Sequence, residues 1–568
     1  MSRPVAVLKF GGSVLNDESA CRAAVHEIYR GFRQGYSVLA VCSAFRGETN
    51  RLALVAGALS AEPLAEAYSA LLRTGELRSS ACLALACDAA GLPTTILDTD
   101  QISLRTDGPL HDALPVSVDT TAIHRAFDDF GVVIVPGFCG RDDRGAVSLL
   151  GRGGSDLTAI FLAKELNAAS CRLIKDVRGW FATESDTGDF FSIDAPTALF
   201  RTLSFTDASH RRDAVVQPKA VTFAARSNTT FRLGRACFDD DTNVSSDHAT
   251  VMDVIEAPRT LRVGLLGVGT VGSGVWQHLA TAADLFEVVG GVVRDVEADR
   301  AAWIDRGTLV ASFEELPHCD VLIEALPGAG PAYESVKTAL GHGISVVSAN
   351  KDLIAHHGKE LEAIASLSGS ILRYSAAVGG ACPVLELADR LAQSEDVVRV
   401  RAVLNATTNV VLEGVRGGLS FGDAVADATR RGFAEADPST DLSGRDAANK
   451  LALIYHRLTG GWLDPDQVDT QDIRTASFQA DSVVRQVGEL RLGTGVQATV
   501  RATETTPPDV LASVGGNWNA AVFETASGRS YTVRGRGAGR WATAESMMAD
   551  VFDIHREITL CKRLYEAS

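Results

Sequence analysis

Two stretches of the chain share one pattern, in which an apolar strand-like run leads into glycines and then into a helix-like run. They cover residues 5–12 and residues 261–272. After each of them, apolar and β-branched runs such as Tyr36–Ala44, Val132–Pro136 and Val321–Ala325 alternate with alanine-rich stretches of helical length. Strands that alternate with helices form parallel sheets covered by helices. The pattern therefore predicts an α/β protein with two separate parallel sheets.

The length of 568 residues supports this division, because a single hydrophobic core seldom grows that large. The segment FDDDTNVSSDHAT, residues 238–250, is polar and rich in turn-forming residues. We therefore predict a first domain over residues 1–237, a linker over residues 238–260, and a second half that begins at residue 261.

The overall charge limits the partners of the protein. The formal net charge is -17, whereas nucleic acids and anionic membranes both require a basic face. No apolar run reaches the length of a bilayer span, and the first residues, MSRPVAVLKF, lack a signal-peptide pattern. The ten cysteines form neither a CxxC pair nor a zinc-ligand pattern. We expect a cytoplasmic protein with reduced thiols that binds small molecules, with no nucleic acid or membrane as partner.

The second glycine-rich turn has the GxGxxG pattern of dinucleotide-binding sites. Its first glycine permits the tight turn, its second lets the backbone approach a pyrophosphate, and its third allows close packing of helix on strand. A purely structural tight turn is the alternative interpretation. The candidate cofactor contacts are Gly267, Val268, Gly269, Thr270, Val271 and Gly272.

The choice between NADP and NAD depends on the end of the next strand, where Arg294 precedes Asp295. An arginine can pair with the 2′-phosphate of NADP, whereas an acidic residue binds the ribose hydroxyls of NAD. Because Arg294 comes first, NADP is somewhat favoured. A solvated charge pair at a strand end is the alternative, so both cofactors stay open.

Five further segments resemble motifs of homoserine dehydrogenases, and their order and spacing match across residues 261–568. They are VVSANK at 346–351, AVGGACP at 377–383, NATTN at 405–409, GFAEADP at 432–438 and DLSGRDAANK at 441–450. The resemblance implies a Rossmann cofactor domain over 261–395, an α+β catalytic and dimerisation domain over 396–530, and a C-terminal return to the cofactor domain over 531–568. It also implies a homodimer or a higher homo-oligomer.

Reduction of an aldehyde by hydride needs a cation or an acid near the carbonyl oxygen, where negative charge develops. Lys351 and Lys450 are the candidates, and Asp446 shares a helix face with Lys450 because the two are four residues apart. A solvated helix salt bridge is the bland alternative. The resemblance assigns the catalytic lysines to these positions and implies further contacts, with Ser348 at the cofactor and with Glu435, Asp441, Thr407 and Thr408 at the substrate.

The same resemblance implies a monovalent cation held by main-chain carbonyls. The carbonyls of Val378, Gly380 and Cys382 could bind sodium. However, Ser375 stands where homoserine dehydrogenases often carry an acidic residue, and serine cannot supply a carboxylate.

The first half resembles the amino-acid kinase family and, within it, aspartate kinases. The carrying motifs are KFGGS at residues 9–13, VPGF at 135–138 and LGRGGSD at 150–156, whereas no GxxxxGK[ST] motif is present. Phosphoryl transfer is mainly positioning and charge neutralisation. The resemblance implies that Lys9, with the amides of Gly11 and Gly12, stabilises the phosphoryl group. It places Asp156 and Asp176 at the magnesium nucleotide, and Arg152, Glu76 and Ser155 at the aspartate substrate.

Several departures lie on the nucleotide side of this half. The family motif TDVDGVY reads KDVRGWF from Lys175 to Phe181, and the family motif GAKVLHP has Ala214 for its lysine and Gln217 for its histidine. We predict a bifunctional enzyme that phosphorylates aspartate with MgATP and reduces aspartate semialdehyde to homoserine. One alternative is a working dehydrogenase joined to an inactive kinase-like structural or aspartate-sensing module. Another keeps both folds but acts on close aspartate analogues.

Fused enzymes of this kind normally carry regulatory ACT domains between their catalytic parts. The linker of about twenty residues is too short for any domain core. We therefore expect the ACT domains to be absent, and with them inhibition by threonine or lysine at such a site.

Overall fold

The computed structural model describes residues 3–182, 198–211, 215–246, 250–254, 258–435, 437–476 and 482–566. The chain divides into two compact units, which meet in sequence at Pro258 and Arg259, and the second unit also includes Ala89–Leu92. Within the described ranges, no helix combines the length and the apolar character needed to cross a bilayer.

The N-terminal unit is built on a nine-stranded sheet and a four-stranded sheet. The strands of the large sheet are, in spatial order, β13 (Val251–Val254), β10 (Ala198–Ser204), β12 (Thr242–Ser245), β11 (Phe231–Arg235), β9 (Ser170–Lys175), β1 (Val5–Phe10), β2 (Ser37–Cys42), β6 (Val132–Pro136) and β3 (Thr94–Ile96). The small sheet has the order β5 (Leu114–Ser117), β4 (Arg105–Asp107), β7 (Cys139–Arg141) and β8 (Val147–Leu149).

Seven helices of the described residues belong to this unit. They are α1 (Cys21–Arg33), α2 (Glu48–Leu59), α3 (Ala65–Ala89), α4 (Thr120–Phe130), α5 (Gly154–Glu165), α6 (Phe205–His210) and α7 (Pro218–Ser227). Strands β1, β2 and β6 are buried along their whole length, as expected for parallel strands covered on both faces. The predicted parallel sheet is confirmed for the strands from β11 to β3.

The order of these strands fixes where a ligand can bind. From β1 the chain continues to β2 on one side, whereas β9 pairs with β1 on the other side, both in parallel. This is a topological switch point, and ligands of open α/β sheets bind at the carboxyl ends of the strands there. Lys9 lies near the end of β1 and Lys175 ends β9, so both lysines lie at this point.

The segment predicted as a linker, residues 238–260, is partly folded. Strand β12 pairs with β10 and β11, and β13 pairs with β10 in antiparallel register. Turn formers dominate this sequence and led to the prediction of a linker, whereas its few β-branched residues form one strand inside the large sheet and one at its edge. The first unit therefore extends to Pro258 rather than to residue 237.

The C-terminal unit begins with a six-stranded parallel sheet. Its strands are, in spatial order, β16 (Leu309–Val310), β15 (Phe286–Val292), β14 (Leu261–Leu266), β17 (Val321–Glu324), β18 (Ser345–Ser348) and β19 (Leu372–Arg373). The helices that connect and follow these strands are α8 (Thr270–Thr281), α9 (Gly330–Gly341), α10 (Lys351–Ser368) and α11 (Val384–Ser394). The predicted Rossmann fold is confirmed, and its switch point lies between β14 and β17.

A mostly antiparallel sheet follows. Its spatial order is β21 (Asp469–Thr470), β23 (Val496–Thr505), β22 (Val483–Leu492), β20 (Val397–Val403), β24 (Trp518–Thr525) and β25 (Ser530–Arg536). Its helices are α12 (Ala406–Arg416), α13 (Phe421–Arg430), α14 (Ser439–Leu442) and α15 (Arg445–Thr459). The last helix, α16 (Arg540–Glu566), packs against α8 of the Rossmann fold.

The C-terminal return to the cofactor domain therefore starts later than the predicted residue 531. Strand β25 pairs with β24 from Ser530 to Arg536, so these residues complete the antiparallel sheet. Helix α16 makes this return, with Gly274 of α8 close to the side chains of Arg540 and Ala544. At the end of β25, the carbonyl of Arg536 also accepts from the amide of Ala381 over 3.0 Å.

Candidate active sites

The glycine-rich turn after β14 fits a dinucleotide. Gly267 has a φ of +102°, and a Cβ on Gly272 would lie 2.0 Å from the carbonyl oxygen of Gly267, so both positions require glycine. A Cβ on Gly269 would meet no atom within 4 Å, which leaves open space where a pyrophosphate would lie. Thr270 is exposed and begins α8, whose N-terminal N–H groups favour an anion.

The other predicted cofactor contacts differ in exposure. Val268 is buried, Val271 is half-buried and Arg294 is exposed. Ser348 is fully buried and donates its hydroxyl to Oε2 of Glu324 over 2.6 Å. The structure therefore places Ser348 in a buried polar network, and the turn itself remains the part of the chain best suited to the cofactor.

The three predicted catalytic residues of this unit come together as one cluster. Asp446 accepts from Nζ of Lys351 through Oδ1 and from Nζ of Lys450 through Oδ2, each over 2.8 Å. Asp446 and Lys450 are buried, whereas the side chain of Lys351 is 40% exposed. The cluster thus joins the start of α10 in the Rossmann fold to α15 of the second sheet, and it differs from a solvated helix salt bridge.

The electrostatics keep Asp446 and Lys351 charged. Burial opposes ionisation of Asp446, but the ammonium groups of Lys351 and Lys450 hold the pKa of its carboxyl far below the ordinary value. The same carboxylate raises the pKa of Lys351 well above its ordinary value, against the effect of burial. One carboxylate between two ammonium groups leaves one positive charge in excess, and this charge can stabilise an anionic oxygen.

Asn405 holds the cluster in place, although sequence reasoning gave it no role. Its Nδ2 donates to Asp446 and to Asp441, each over 2.7 Å, and its Oδ1 caps α12 by accepting from the amide of Thr408. Thr407 donates its hydroxyl to Asp441 over 2.8 Å. Asparagine is a preferred residue at the N-cap of a helix, and this preference is the sequence signal that could have identified Asn405.

The side chains of two other predicted substrate contacts make no bond to Asp441 or Asp446 among the described residues. Thr408 is fully buried, and its hydroxyl donates to the carbonyl of Asn405 over 3.2 Å. Glu435 is exposed, and among the described residues no hydrogen bond or ion pair joins it to Lys351, Asp446 or Lys450. Its neighbour Ala436 lies outside the described residues.

Glu324 is a second residue of the site that sequence reasoning missed. It ends β17, is fully buried, and accepts from the hydroxyl of Ser348, from the amide of Leu326 and from Nδ2 of Asn350. Asn350 caps α10 directly before Lys351. Glu324 therefore positions the start of the helix that carries a candidate catalytic lysine.

Replacing Glu324 with glutamine is expected to stabilise the chain above pH 6. Burial raises the pKa of Glu324 from 4.5 to about 6. Between these pH values the folded chain holds a proton that the unfolded chain has released, so stability falls as pH rises, by about 2 kcal/mol in total. Glutamine avoids this loss, because Ser348 can rotate to accept from the new amide.

The measurement is the midpoint of urea unfolding at pH 4.5 and pH 7.5. The gain of Glu324→Gln over wild type should be present at pH 7.5 and small at pH 4.5. The exposed Glu334→Gln on α9 serves as the matched control and should show no gain. An equal gain at both pH values would contradict ionisation of Glu324 as its cause.

The predicted sodium ligands lie on a buried turn. Val378, Gly380 and Cys382 are buried, and Gly379 and Gly380 have φ values of +83° and +56°. The carbonyl of Cys382 already accepts from the amide of Val384 over 2.7 Å. Ser375, in place of the family's acidic residue, donates its amide and its hydroxyl to Asp550 of α16, each over 2.8 Å. Sodium binding stays a prediction.

The N-terminal unit has a cavity of about 610 Å³ at the carboxyl ends of β1, β2, β6 and β9. Predicted site residues line it from several elements, namely Lys9, Gly12, Glu76, Arg152, Ser155 and Asp156. Close packing around two glycines explains why the KFGGS and LGRGGSD motifs need glycine there. A Cβ on Gly12 would lie 3.1 Å from the carbonyl of Ala44, and one on Gly153 would lie 2.5 Å from the side chain of Gln217.

Inside the cavity, Asp156 binds two lysines. Its Oδ1 lies 2.6 Å from Nζ of Lys9, and its Oδ2 lies 2.8 Å from Nζ of Lys175. Burial lowers the pKa of Lys9 to about 8, although Asp156 opposes the shift. Burial also opposes ionisation of Asp156, but the two ammonium groups hold its pKa below the ordinary value.

Glu76 and Arg152 bring an acidic and a basic side chain to the same cavity. Oε1 of Glu76 accepts from the amide of Ala44 over 3.3 Å, whereas its buried Oε2 has no hydrogen-bond partner among the described residues. Burial raises the pKa of Glu76 to about 8. Arg152 is exposed in the turn between Gly151 and Gly153, both with a φ of +74°. The cavity thus offers an anion site and a cation site, as an amino-acid ligand requires.

The nucleotide side is less complete. Asp176 is exposed and is not among the residues that line the cavity, whereas Lys175 and Gln217 are. Gly11 lies beside these lysines, since a Cβ on it would be 3.0 Å from Nζ of Lys9. The departure at Ala214 lies outside the described residues.

Three family models match the chain. The model of the amino acid kinase family matches residues 4–188. The model of the homoserine dehydrogenase NAD binding domain matches residues 267–375, and that of homoserine dehydrogenase matches residues 383–552. The kinase match lies in the N-terminal unit, and the two dehydrogenase matches follow it in the C-terminal unit.

Individual proteins support the second and third matches. A homoserine dehydrogenase of Pseudomonas aeruginosa is 32% identical over 321 residues, which are 53% of this chain and 74% of that protein. One of Synechocystis sp. is 30% identical over 322 residues, with the same coverage. The crystal structure of a homoserine dehydrogenase from Thiobacillus denitrificans matches with a TM-score of 0.50 and 28% identity, covering 54% of this chain and 75% of that one.

Proposed function

Because the chain belongs to the homoserine dehydrogenase family and carries an amino acid kinase domain before it, we propose that it is a bifunctional enzyme. Its C-terminal unit interconverts aspartate semialdehyde and homoserine with NADP or NAD. Its N-terminal unit phosphorylates L-aspartate with MgATP. The observation that carries the first activity is the Lys351–Asp446–Lys450 cluster.

The dehydrogenase residues have distinct tasks in this proposal. NAD(P)H, when bound at the turn of residues 267–272, supplies the hydride. The ammonium groups of Lys351 and Lys450 stabilise the oxygen of the substrate carbonyl as negative charge develops on it. Asp446 holds both ammonium groups in place, and Asp441, anchored by Asn405 and Thr407, binds the substrate's amino group together with Glu435.

The dehydrogenase is tested by homoserine-dependent reduction of NADP⁺ and of NAD⁺ by the purified full chain. We expect activity with homoserine and a preference for NADP⁺, since Arg294 is exposed at the end of the strand that follows the turn. No reduction of either cofactor would overturn the proposal. A panel of hydroxy amino acids in the same assay distinguishes homoserine from close analogues.

The kinase proposal rests on the charges of the N-terminal cavity. Lys9 can neutralise the phosphoryl group, while Glu76 and Arg152 can bind the amino and α-carboxyl groups of aspartate. The test is ATP- and aspartate-dependent hydroxamate formation by the full chain. Activity that depends on both substrates supports the kinase.

A second candidate for this unit is an inactive kinase-like module that senses aspartate. It is favoured by Asp156, whose two oxygens are both occupied by lysines, and by the exposure of Asp176. Absence of hydroxamate formation, together with intact homoserine oxidation and measurable binding of aspartate, would establish this alternative.

The apparent KM for aspartate is expected to fall as pH rises from 6 to 7.5, by on the order of tenfold per pH unit. Glu76, with its pKa raised to about 8 by burial, is mostly protonated in this range. The ammonium group of aspartate needs the carboxylate form, so binding must release a proton. ADP release at saturating MgATP measures the effect.

Glu76→Gln should remove this pH dependence and raise the KM at pH 7.5 by about tenfold or more, because the charge-assisted hydrogen bond is lost. The exposed Glu66→Gln on the same helix is the matched control and should behave as wild type. If the KM of Glu76→Gln still fell with rising pH as in wild type, a group other than Glu76 would be the one that titrates.

The homodimer, the cytoplasmic location and the absence of threonine inhibition remain predictions.

A further inference from the structure

The residue that departs most visibly from the kinase motif lies at the centre of the kinase site. Lys175 stands where the related motif has threonine, and its side chain reaches Asp156 from β9 while Lys9 reaches it from β1. The two strands are parallel neighbours at the switch point of the sheet. Neither ion pair depends on an exposed flexible side chain, because Lys9, Asp156 and Lys175 are 5%, 3% and 14% exposed.

The two lysines together carry one positive charge more than the carboxylate of Asp156 neutralises. Each ammonium has three N–H donors, and Asp156 is the one acidic partner that both share among the described residues. Both lysines line the cavity together with the glycines of residues 151–154. The excess positive charge and the remaining donors are therefore available to an anion in the cavity.

The proposed reaction needs such charge and needs no base. The β-carboxylate oxygen of aspartate forms a bond to the γ-phosphorus of ATP. The bond from that phosphorus to the β,γ-bridging oxygen breaks, and ADP leaves with the electron pair. Since the nucleophile is already ionised, no proton is transferred. What remains for the protein is to position the reactants and to neutralise the negative charge of the phosphoryl oxygens.

We propose that Lys175 is a catalytic residue of the kinase, contacting the transferring phosphoryl group as a second ammonium beside Lys9. Asp156 then acts as the carboxylate that holds the two lysines together. The inference rests on the proposed kinase function. In the sequence, Lys175 is a departure that counts against phosphoryl transfer. In this inference, the same residue supplies positive charge for that transfer.

The test compares Lys175→Met and Lys175→Arg with wild type in the full chain. Lys175→Met should lower kcat for hydroxamate formation by about 10²- to 10³-fold, as for loss of one transition-state donor, with the KM for aspartate changed less than about threefold. Lys175→Arg should recover at least about tenfold of the loss. The exposed Lys164→Met on α5 is the matched control and should keep wild-type activity.

A binding measurement separates this inference from the kinase proposal. Calorimetry follows MgADP alone and MgADP with aluminium fluoride and aspartate, which together mimic the transferring phosphoryl group. Lys175→Met should weaken the second complex by the factor lost in kcat and the first by less than about threefold. Equal weakening of both complexes, or unchanged kcat in an active enzyme, would overturn the role of Lys175 and leave the kinase standing.

An inactive wild-type chain would overturn the kinase instead. If that chain binds the fluoride complex and Lys175→Met weakens it, the phosphoryl contact of Lys175 stands without turnover. If that chain does not bind the fluoride complex, both proposals fail. Circular dichroism melting of each variant checks that loss of binding does not follow from unfolding, and Lys175→Arg retains the charge if methionine disturbs the fold.

Discussion

Replacing Lys450 with methionine is expected to lower kcat/KM for homoserine oxidation by about 10³-fold. The Nζ of Lys450 is held by Oδ2 of Asp446 at 2.8 Å and by the carbonyl of Leu404 at 2.5 Å, which leaves one N–H donor for the substrate oxygen. Methionine has a similar volume but neither the charge nor the donor. Steady-state reduction of the preferred cofactor at saturating concentration measures the change.

The fold should survive this substitution, because Lys351 still neutralises Asp446 over 2.8 Å. The exposed Lys359→Met on α10 removes a lysine of the same unit away from the cluster and should retain wild-type activity. Hydroxamate formation by the N-terminal unit provides a second control within the same chain. A decrease in kcat/KM smaller than tenfold would mean that Lys351 alone stabilises the reacting oxygen.

Much of the fold was predictable because parallel sheets have a simple sequence pattern. Val5–Phe10 and Leu261–Leu266 are buried along nearly their whole length, so they are mostly apolar and stand out before their glycines. The strands Thr242–Ser245 and Val251–Val254 do not stand out, since their polar residues and flanking turn formers are those of a linker. Pairing with β10, which the local sequence does not reveal, makes them strands.

The site residues also differ in how far the local sequence predicts them. Asp446 and Lys450 were predictable as a pair because four residues on a helix bring side chains to one face. Lys351 required the resemblance, since it joins them from the start of another helix, α10 of the Rossmann fold. Asn405 and Glu324 were missed because their roles depend on partners distant in sequence, such as Asp446 and Asn350. In a motif comparison, Lys175 is a departure that counts against kinase activity. Its ion pair with Asp156, over 2.8 Å, instead brings a second positive charge to the cavity.

Asp156→Asn is expected to lower aspartate kinase activity by about 10³-fold while homoserine oxidation stays within about twofold of wild type. The substitution removes the one carboxylate that Lys9 and Lys175 share and leaves two ammonium groups close together in a buried place. Removing one partner of a buried ion pair costs about 3–5 kcal/mol, so the thermal midpoint should also fall. The exposed Asp128→Asn on α4 is the matched control for both measurements.

The pH dependence of the residual activity identifies the cause. In wild type, burial lowers the pKa of Lys9 to about 8, although Asp156 opposes the shift and repulsion by Lys175 adds to it. Without Asp156 the pKa of Lys9 must fall further, so Lys9 loses its proton near neutral pH. At saturating aspartate, where the titration of Glu76 no longer limits the rate, the residual kcat of Asp156→Asn should therefore rise as pH is lowered, because Lys9 regains its charge. Residual activity that falls on acidification would show that Asp156 serves another role, such as binding the metal of the nucleotide, and a parallel loss of both enzyme activities would mean that the substitution unfolds the chain.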